Sequence, residues 1–200
     1  MSVIEMLHEE YVLGRRARLL AAHLAARLPL GATVLDVGCG DGAVGRHLLR
    51  TRPDLRYRAV EVMVRPDCLV PAEPFDGRTL PFPDASVDVA MFVDVLHHAE
   101  DAVALLREGA RVARHTLLIK DHDSERPFAE PTLRFMDRVG NARHGVALPY
   151  SYWPRRRWNE VFASLGFRVE EWEEGLGLFL PPASWLFGGS LQFLATLRRA

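Results

Sequence analysis

The chain has 200 residues, a formal net charge of -1 and an apolar fraction of 48%. That length suits one α/β domain with a sizeable core, and the composition excludes a disordered chain. The near-neutral balance also excludes a general attraction to nucleic acid, and the basic run Arg155-Arg156-Arg157 reads as a solvated helix face.

Residues 2–28 place Val3, Leu7, Leu19, Leu20, Leu24 and Leu28 at helical spacing, and Pro29 and Gly31 end that helix. Residues 1–29 are expected to form a helical lid with Tyr11 turned inward. Glu5, Glu9 and Glu10 stand where a secretory leader would be apolar, so a cytoplasmic location is expected. "TVLDV" (33–37) reads as a buried strand and 42–50 as the following helix. "YRAVEV" (57–62) is a second strand, after which Pro66, Pro71 and Pro74 leave little room for a helix up to Phe75.

"SVDVAMFVDVL" (86–96) is a third clear strand, 101–114 a helix capped by Asp101, and "HTLLIKD" (115–121) a fourth strand. Residues 123–153 are irregular, with prolines at 127, 131 and 149 and a helix near 131–139. A helix follows at about 155–165. "GFRVEEWE" (166–173) and "LQFLATLR" (191–198) read as two strands with no crossover helix between them, hence antiparallel. The alternation predicts a single α/β domain over 1–200: a Rossmann-like, mostly parallel sheet with helices on both faces and a C-terminal antiparallel hairpin strand.

No residue from Gly175 to Leu197 is charged, which raises the question of a membrane span. Pro181-Pro182 and the glycines at 175, 177, 188 and 189 argue against one, and the stretch reads as an apolar loop leading into a strand. Together with 123–153, the segment 174–190 is expected to form substrate-side loops, because long ordered connections are often functional. Tyr150, Tyr152, Trp153, Phe179, Trp185 and Phe187 are their candidates for lining an apolar acceptor pocket.

The most informative stretch is "VLDVGCGDGAVG" (34–45). Gly40, Gly42 and Gly45 fit G-x-G-x-x-G, and Glu61 follows about 20 residues on, as in a dinucleotide site. The acids argue the other way. A carboxylate ~4 Å from a phosphate oxygen is repelled by about 4 kcal/mol at an effective dielectric near 20. With Asp36 ending the strand and Asp41 in the turn, a ligand carrying an ammonium or sulfonium group is favoured over a pyrophosphate. Cys39 and Cys68 form no ligand pattern and read as reduced thiols.

On these residues the chain resembles the class I S-adenosylmethionine-dependent methyltransferases, of the type 11-like domain. "VLDVGCGDG" resembles their first motif, and "FDGRTLPFPDASVDVAMFVDVLHH" (75–98) resembles their segment around "LPF" and the fourth motif. The resemblance implies S-adenosyl-L-methionine as cofactor, held by Asp36, Gly38, Cys39 and Gly40, by Glu61 and Val62 at the ribose, by Asp76 and Gly77 at the adenine, and by Val93 and Asp94. Glu61 and Asp76 lie too close in sequence for the helix usual between them, and the "PGG" turn before the fifth strand is missing.

Methyl transfer has no obligatory catalytic motif, so candidates are ranked by position beyond the carboxyl ends of the strands. His98 is the first choice for a general base, followed by His122 and Asp121. His97 is expected to point elsewhere, because neighbouring side chains diverge. No metal site is expected, since no H-x-x-x-H or C-x-x-C spacing occurs and adjacent histidines rarely share an ion. The expected acceptor is a small molecule, apolar or lipid-like, rather than a nucleic acid. The alternatives are an NAD(P)-dependent oxidoreductase on a Rossmann domain and a non-catalytic cofactor-binding module.

Overall fold

Seven strands form one sheet in the order β3-β2-β1-β4-β5-β7-β6. The computed structural model describes residues 14–141, 150–181 and 183–200. At the centre, β1 (Thr33–Val37) runs parallel to β2 (Arg56–Glu61) on one side and β4 (Val87–Val93) on the other, with Val34 opposite both Tyr57 and Val89. β3 (Glu73–Pro74) is a short parallel edge, and β5 (Ala113–His122) extends the parallel set beyond β4. β7 (Gln192–Arg199) is antiparallel both to β5 and to β6 (Phe167–Glu174), which forms the other edge.

Successive residues of each strand point to opposite faces, and both faces are covered. Val34, Val89, Met91, Leu118 and Leu194 pack on Leu20 and Leu24 of α1 (Gly14–Ala25) and Leu48 of α2 (Ala43–Thr51). Leu35, Val37, Phe92, Leu117 and Ile119 pack the other way, on Leu106 of α3 (Ala102–Val112) and on Trp158 and Phe162 of α5 (Arg155–Ser164). Asp101 caps α3, accepting from the Ala104 N–H at 2.9 Å. Asp101→Ala is expected to cost about 1 kcal/mol, read as a lower urea midpoint at an unchanged slope.

A third, smaller cluster lies past the carboxyl ends of β4 and β5. There Ala129 and Leu133 of α4 (Ala129–Asn141) meet Leu191, Met136 and Tyr152, and α4 touches the short α6 (Ala183–Phe187). The uncharged segment is therefore not all loop: it holds α6 and a 3-10 turn at Gly189–Leu191. Among the described residues no helix is long and apolar enough to cross a membrane. β4 stops at Val93 rather than at 96, because Asp94 adopts a left-handed φ of 56° and Leu96–His98 turns as a 3-10 helix. Tyr11 and most of the expected lid lie outside the described residues.

Candidate active site

The glycine turn springs from the end of β1 and is pinned to β2, the Gly38 and Cys39 N–H groups donating to the Val60 carbonyl at 2.9 and 3.3 Å. Gly38 has φ +76°, and a Cβ there would lie 2.3 Å from Val95 Cγ2, so only glycine fits. At Gly42, the N-cap of α2 with φ +75°, a Cβ would lie 2.8 Å from Val70 Cγ2. Gly40 faces open space, which leaves the turn's concave side accessible. The Asp41 carboxylate closes the turn by accepting from the Ala43 N–H at 2.9 Å.

Asp36 is buried beneath this turn. Its Oδ2 accepts from the Tyr57 hydroxyl at 2.5 Å, while its Oδ1 is buried with no partner among the described residues. Burial pushes its carboxyl up to about 7; the Tyr57 hydrogen bond opposes the rise and nearby Glu61 adds to it. Near neutrality Asp36 is thus a buried carboxyl in the middle of its titration, rather than the full charge expected from the sequence. The half-buried Cys39 thiol is pushed up by burial and by the Asp36 carboxylate, which makes it a poor nucleophile.

Glu61 ends β2 at the mouth of the turn. Its Oε2 accepts from Gly40 N–H at 2.7 Å and its Oε1 from Val62 N–H at 2.9 Å. Although no helix follows β2, the Phe75 N–H donates to the Glu61 carbonyl at 3.2 Å and draws the next turn alongside. There Gly77, at φ +76°, packs on Val62, and exposed Asp76 accepts from the N–H groups of Thr79 and Arg78. Those hydrogen bonds hold the Asp76 carboxyl below its usual range. Asp36, Gly38, Cys39, Gly40, Glu61, Val62, Asp76 and Gly77 therefore share one rim.

Val93 and Asp94 end β4 farther along. The Asp94 carboxylate is engaged on both oxygens, by Lys120 of β5 and by Arg16 of α1. Burial works against its charge, yet the two cations prevail and hold it well below the usual carboxylate range. Sequence reasoning missed both partners, since a lysine in an apolar strand and an arginine on a distant helix carry no shared spacing.

Beyond Asp94 lies a buried polar cluster. His97 Nδ1 is 2.7 Å from Asp121 Oδ1, and its Nε2 faces Asp137 Oδ2 at 3.6 Å, so the imidazole sits between two carboxylates. Contrary to expectation, His97 points into this cluster rather than away. Burial opposes its charged form, but Asp121 and Asp137 raise its pKa overall. Asp121 also accepts from the backbone N–H groups of His122 and Leu96 and is held well below its usual range against the cost of burial. His122 is buried, and burial lowers its pKa. His98 is half-buried, with a buried Nδ1 that has no partner. Burial and the neighbouring His97 push its pKa down to about 4.

Ligand-type atoms of His97, Asp121 and His122 lie within 4.8 Å of one another, as do those of His97, His98 and Asp137. Hydrogen bonds account for the first group without an ion. Over the cluster, Tyr152 donates to Asp137; Phe187 of α6 stands 6.3 Å from Phe135 and 5.9 Å from Phe179 between ring centres. Residues from both long connections thus meet at Phe135 and Phe187. Trp153 instead packs on core Trp158 at 4.6 Å, and Trp185 is exposed.

A methyltransferase-domain family model matches residues 8–171. Among curated proteins, the chain is 35% identical over 109 residues to the 27-O-demethylrifamycin SV methyltransferase of Amycolatopsis mediterranei (strain S699), a match covering 48% of this chain and 40% of that protein. It is also 35% identical over 97 residues to the 2-methyl-6-phytyl-1,4-hydroquinone methyltransferase of Synechocystis sp. (strain ATCC 27184 / PCC 6803 / Kazusa), covering 44% of this chain and 30% of that one. The chain thus spans less than half the length of these relatives. Its fold matches a solved chain from the complex of the Haloferax volcanii Trm112 methyltransferase activator with a methyltransferase, at TM-score 0.71 and 19% identity over 98% of this chain and 95% of that one. The dinucleotide reading of the glycine turn gives way to these matches: the chain belongs to the methyltransferase-domain family, in its class I, S-adenosylmethionine-dependent form.

Proposed function

We propose that the domain moves the methyl group of S-adenosylmethionine to a small, largely apolar acceptor, with His98 receiving the acceptor's proton. One observation carries the cofactor half of this reading: the buried, unpartnered Oδ1 of Asp36 beneath a glycine turn that opens at Gly40, with Glu61 at its mouth. A buried acceptor without a donor is costly, and a ligand's ammonium group would relieve it. Glu61 suits a ribose diol, and the Val62–Gly77 contact offers a flat apolar wall for a base. When bound, the cofactor supplies an electrophilic methyl on a positively charged sulfur. What this chain adds is alignment, exclusion of water and a place for the proton.

On the acceptor side, the Tyr152 ring stacks 5.9 Å from His97, and Phe187 joins Phe135 and Phe179 in an aromatic group drawn from both long connections. That aromatic group supports a compact apolar acceptor, and both curated relatives described above are named for small molecules. Binding of S-adenosylmethionine and of NAD(P) should be compared by intrinsic tryptophan fluorescence, followed by labelled-methyl transfer to panels of small hydroxyl compounds and of folded RNA. The expected result is cofactor binding that weakens at least about tenfold in Glu61→Ala, with transfer to small acceptors. NAD(P) binding in place of S-adenosylmethionine, or transfer to RNA alone, overturns the reading.

A further inference from the structure

Tyr57 stands on β2 with its ring against α2, and its hydroxyl reaches across to Asp36. The helix residue it passes is Gly45, where a Cβ would lie 2.2 Å from the Tyr57 hydroxyl oxygen and 2.8 Å from Cζ. The φ of Gly45 is ordinary and helical, so backbone conformation does not require glycine there. The requirement is the passage of one side chain. The hydroxyl binds only Oδ2, leaving Oδ1 as the free, buried acceptor.

We propose that Tyr57 is a positioning residue for the cofactor: admitted by Gly45, it ties down one oxygen of Asp36 and leaves the other free for the ligand's amino group. The inference rests on the cofactor reading above. Tyr57 donates the one hydrogen bond that favours the charged form of Asp36, against burial and against Glu61. The other titratable groups around the pair are Cys39 in the turn and Cys68 after β2, whose Sγ lies 3.8 Å from the Gly40 carbonyl oxygen. Neither carries a positive charge. Without the hydroxyl, no group among the described residues would offset the cost of ionising Asp36, and its titration would move to higher pH.

The test is calorimetric titration with S-adenosylhomocysteine, which keeps the amino-acid tail and the adenosine, between about pH 6 and pH 8, where the ligand's amino group stays mostly protonated. In the wild type, affinity should rise with pH across this window as Asp36 ionises. Tyr57→Phe should shift that rise upward by about one unit, so binding is about tenfold weaker at the acid end and recovers toward the alkaline end. In an Asp36→Asn background, Tyr57→Phe should change nothing that depends on pH. Circular dichroism melts confirm that each variant is folded. A loss equal at every pH makes Tyr57 merely structural and overturns the proposal, as does wild-type binding by Tyr57→Phe. Wild-type protein that ignores S-adenosylhomocysteine at every pH sinks the cofactor reading itself.

Discussion

Asp94→Ala is expected to cost about 3–5 kcal/mol of unfolding free energy, a large share of what a domain of this size possesses. The reason lies in Lys120, which is 0% exposed and pairs with Asp94. Removing the carboxylate leaves an ammonium buried in an apolar strand, facing the Arg16 guanidinium across the gap. The damage has a ceiling, because lysine can shed its proton. Neutralising it at pH 7 costs about 5 kcal/mol from an ordinary lysine pKa. Burial already lowers the Lys120 pKa, and without Asp94 it would fall further. A lysine whose folded pKa lies below its unfolded value gains stability as pH rises between the two. The deficit of Asp94→Ala should therefore shrink from neutrality toward about pH 10. Urea unfolding at both ends of that range checks the sign, and Lys120→Met should recover most of the loss in the Asp94→Ala background. A wild-type midpoint in Asp94→Ala would show that the ion pair contributes nothing.

His98→Ala is expected to slow methyl transfer by about 10²–10⁴-fold while leaving S-adenosylmethionine affinity nearly unchanged. With its pKa pushed down to about 4, His98 is neutral at working pH and its lone pair is free, but it is a weaker proton acceptor than an ordinary imidazole. Part of that depression comes from His97, whose positive charge Asp121 and Asp137 support. Asp121→Asn should therefore let His97 lose its charge and the His98 pKa rise, moving the acid limb of kcat/KM upward. Initial rates against pH, measured on an acceptor found in the panel, read both effects. If His98→Ala loses affinity and turnover in equal measure, the residue only shapes the wall.

The parallel strands were legible because strands buried on both faces read as short runs dominated by apolar and β-branched residues, as in "SVDVAMFV" and "HTLLIKD". The glycine turn was legible for a different reason: Gly38, Gly40 and Gly42 all take positive φ, which leaves a fixed trace in sequence. The helix α6 was not, since a five-residue helix in a stretch without charged residues offers little periodic contrast to read. Tyr57, Asp137 and Arg16 act across elements, and nothing in local spacing tells where a hydroxyl or carboxylate on one element ends on another. His97 escaped because a tight 3-10 turn follows the left-handed Asp94, a conformation that aspartate tolerates and sequence pattern does not announce.

The sheet also cannot assemble in the order in which its strands are made. β6 precedes β7 in the chain, yet β7 lies between it and β5. Until β7 is inserted, β6 has no strand neighbour and the long, largely buried β5 presents an open row of backbone donors and acceptors. Nascent or partly unfolded chains are thus most prone to self-association along that one edge, and the last strand to arrive is the one that seals it.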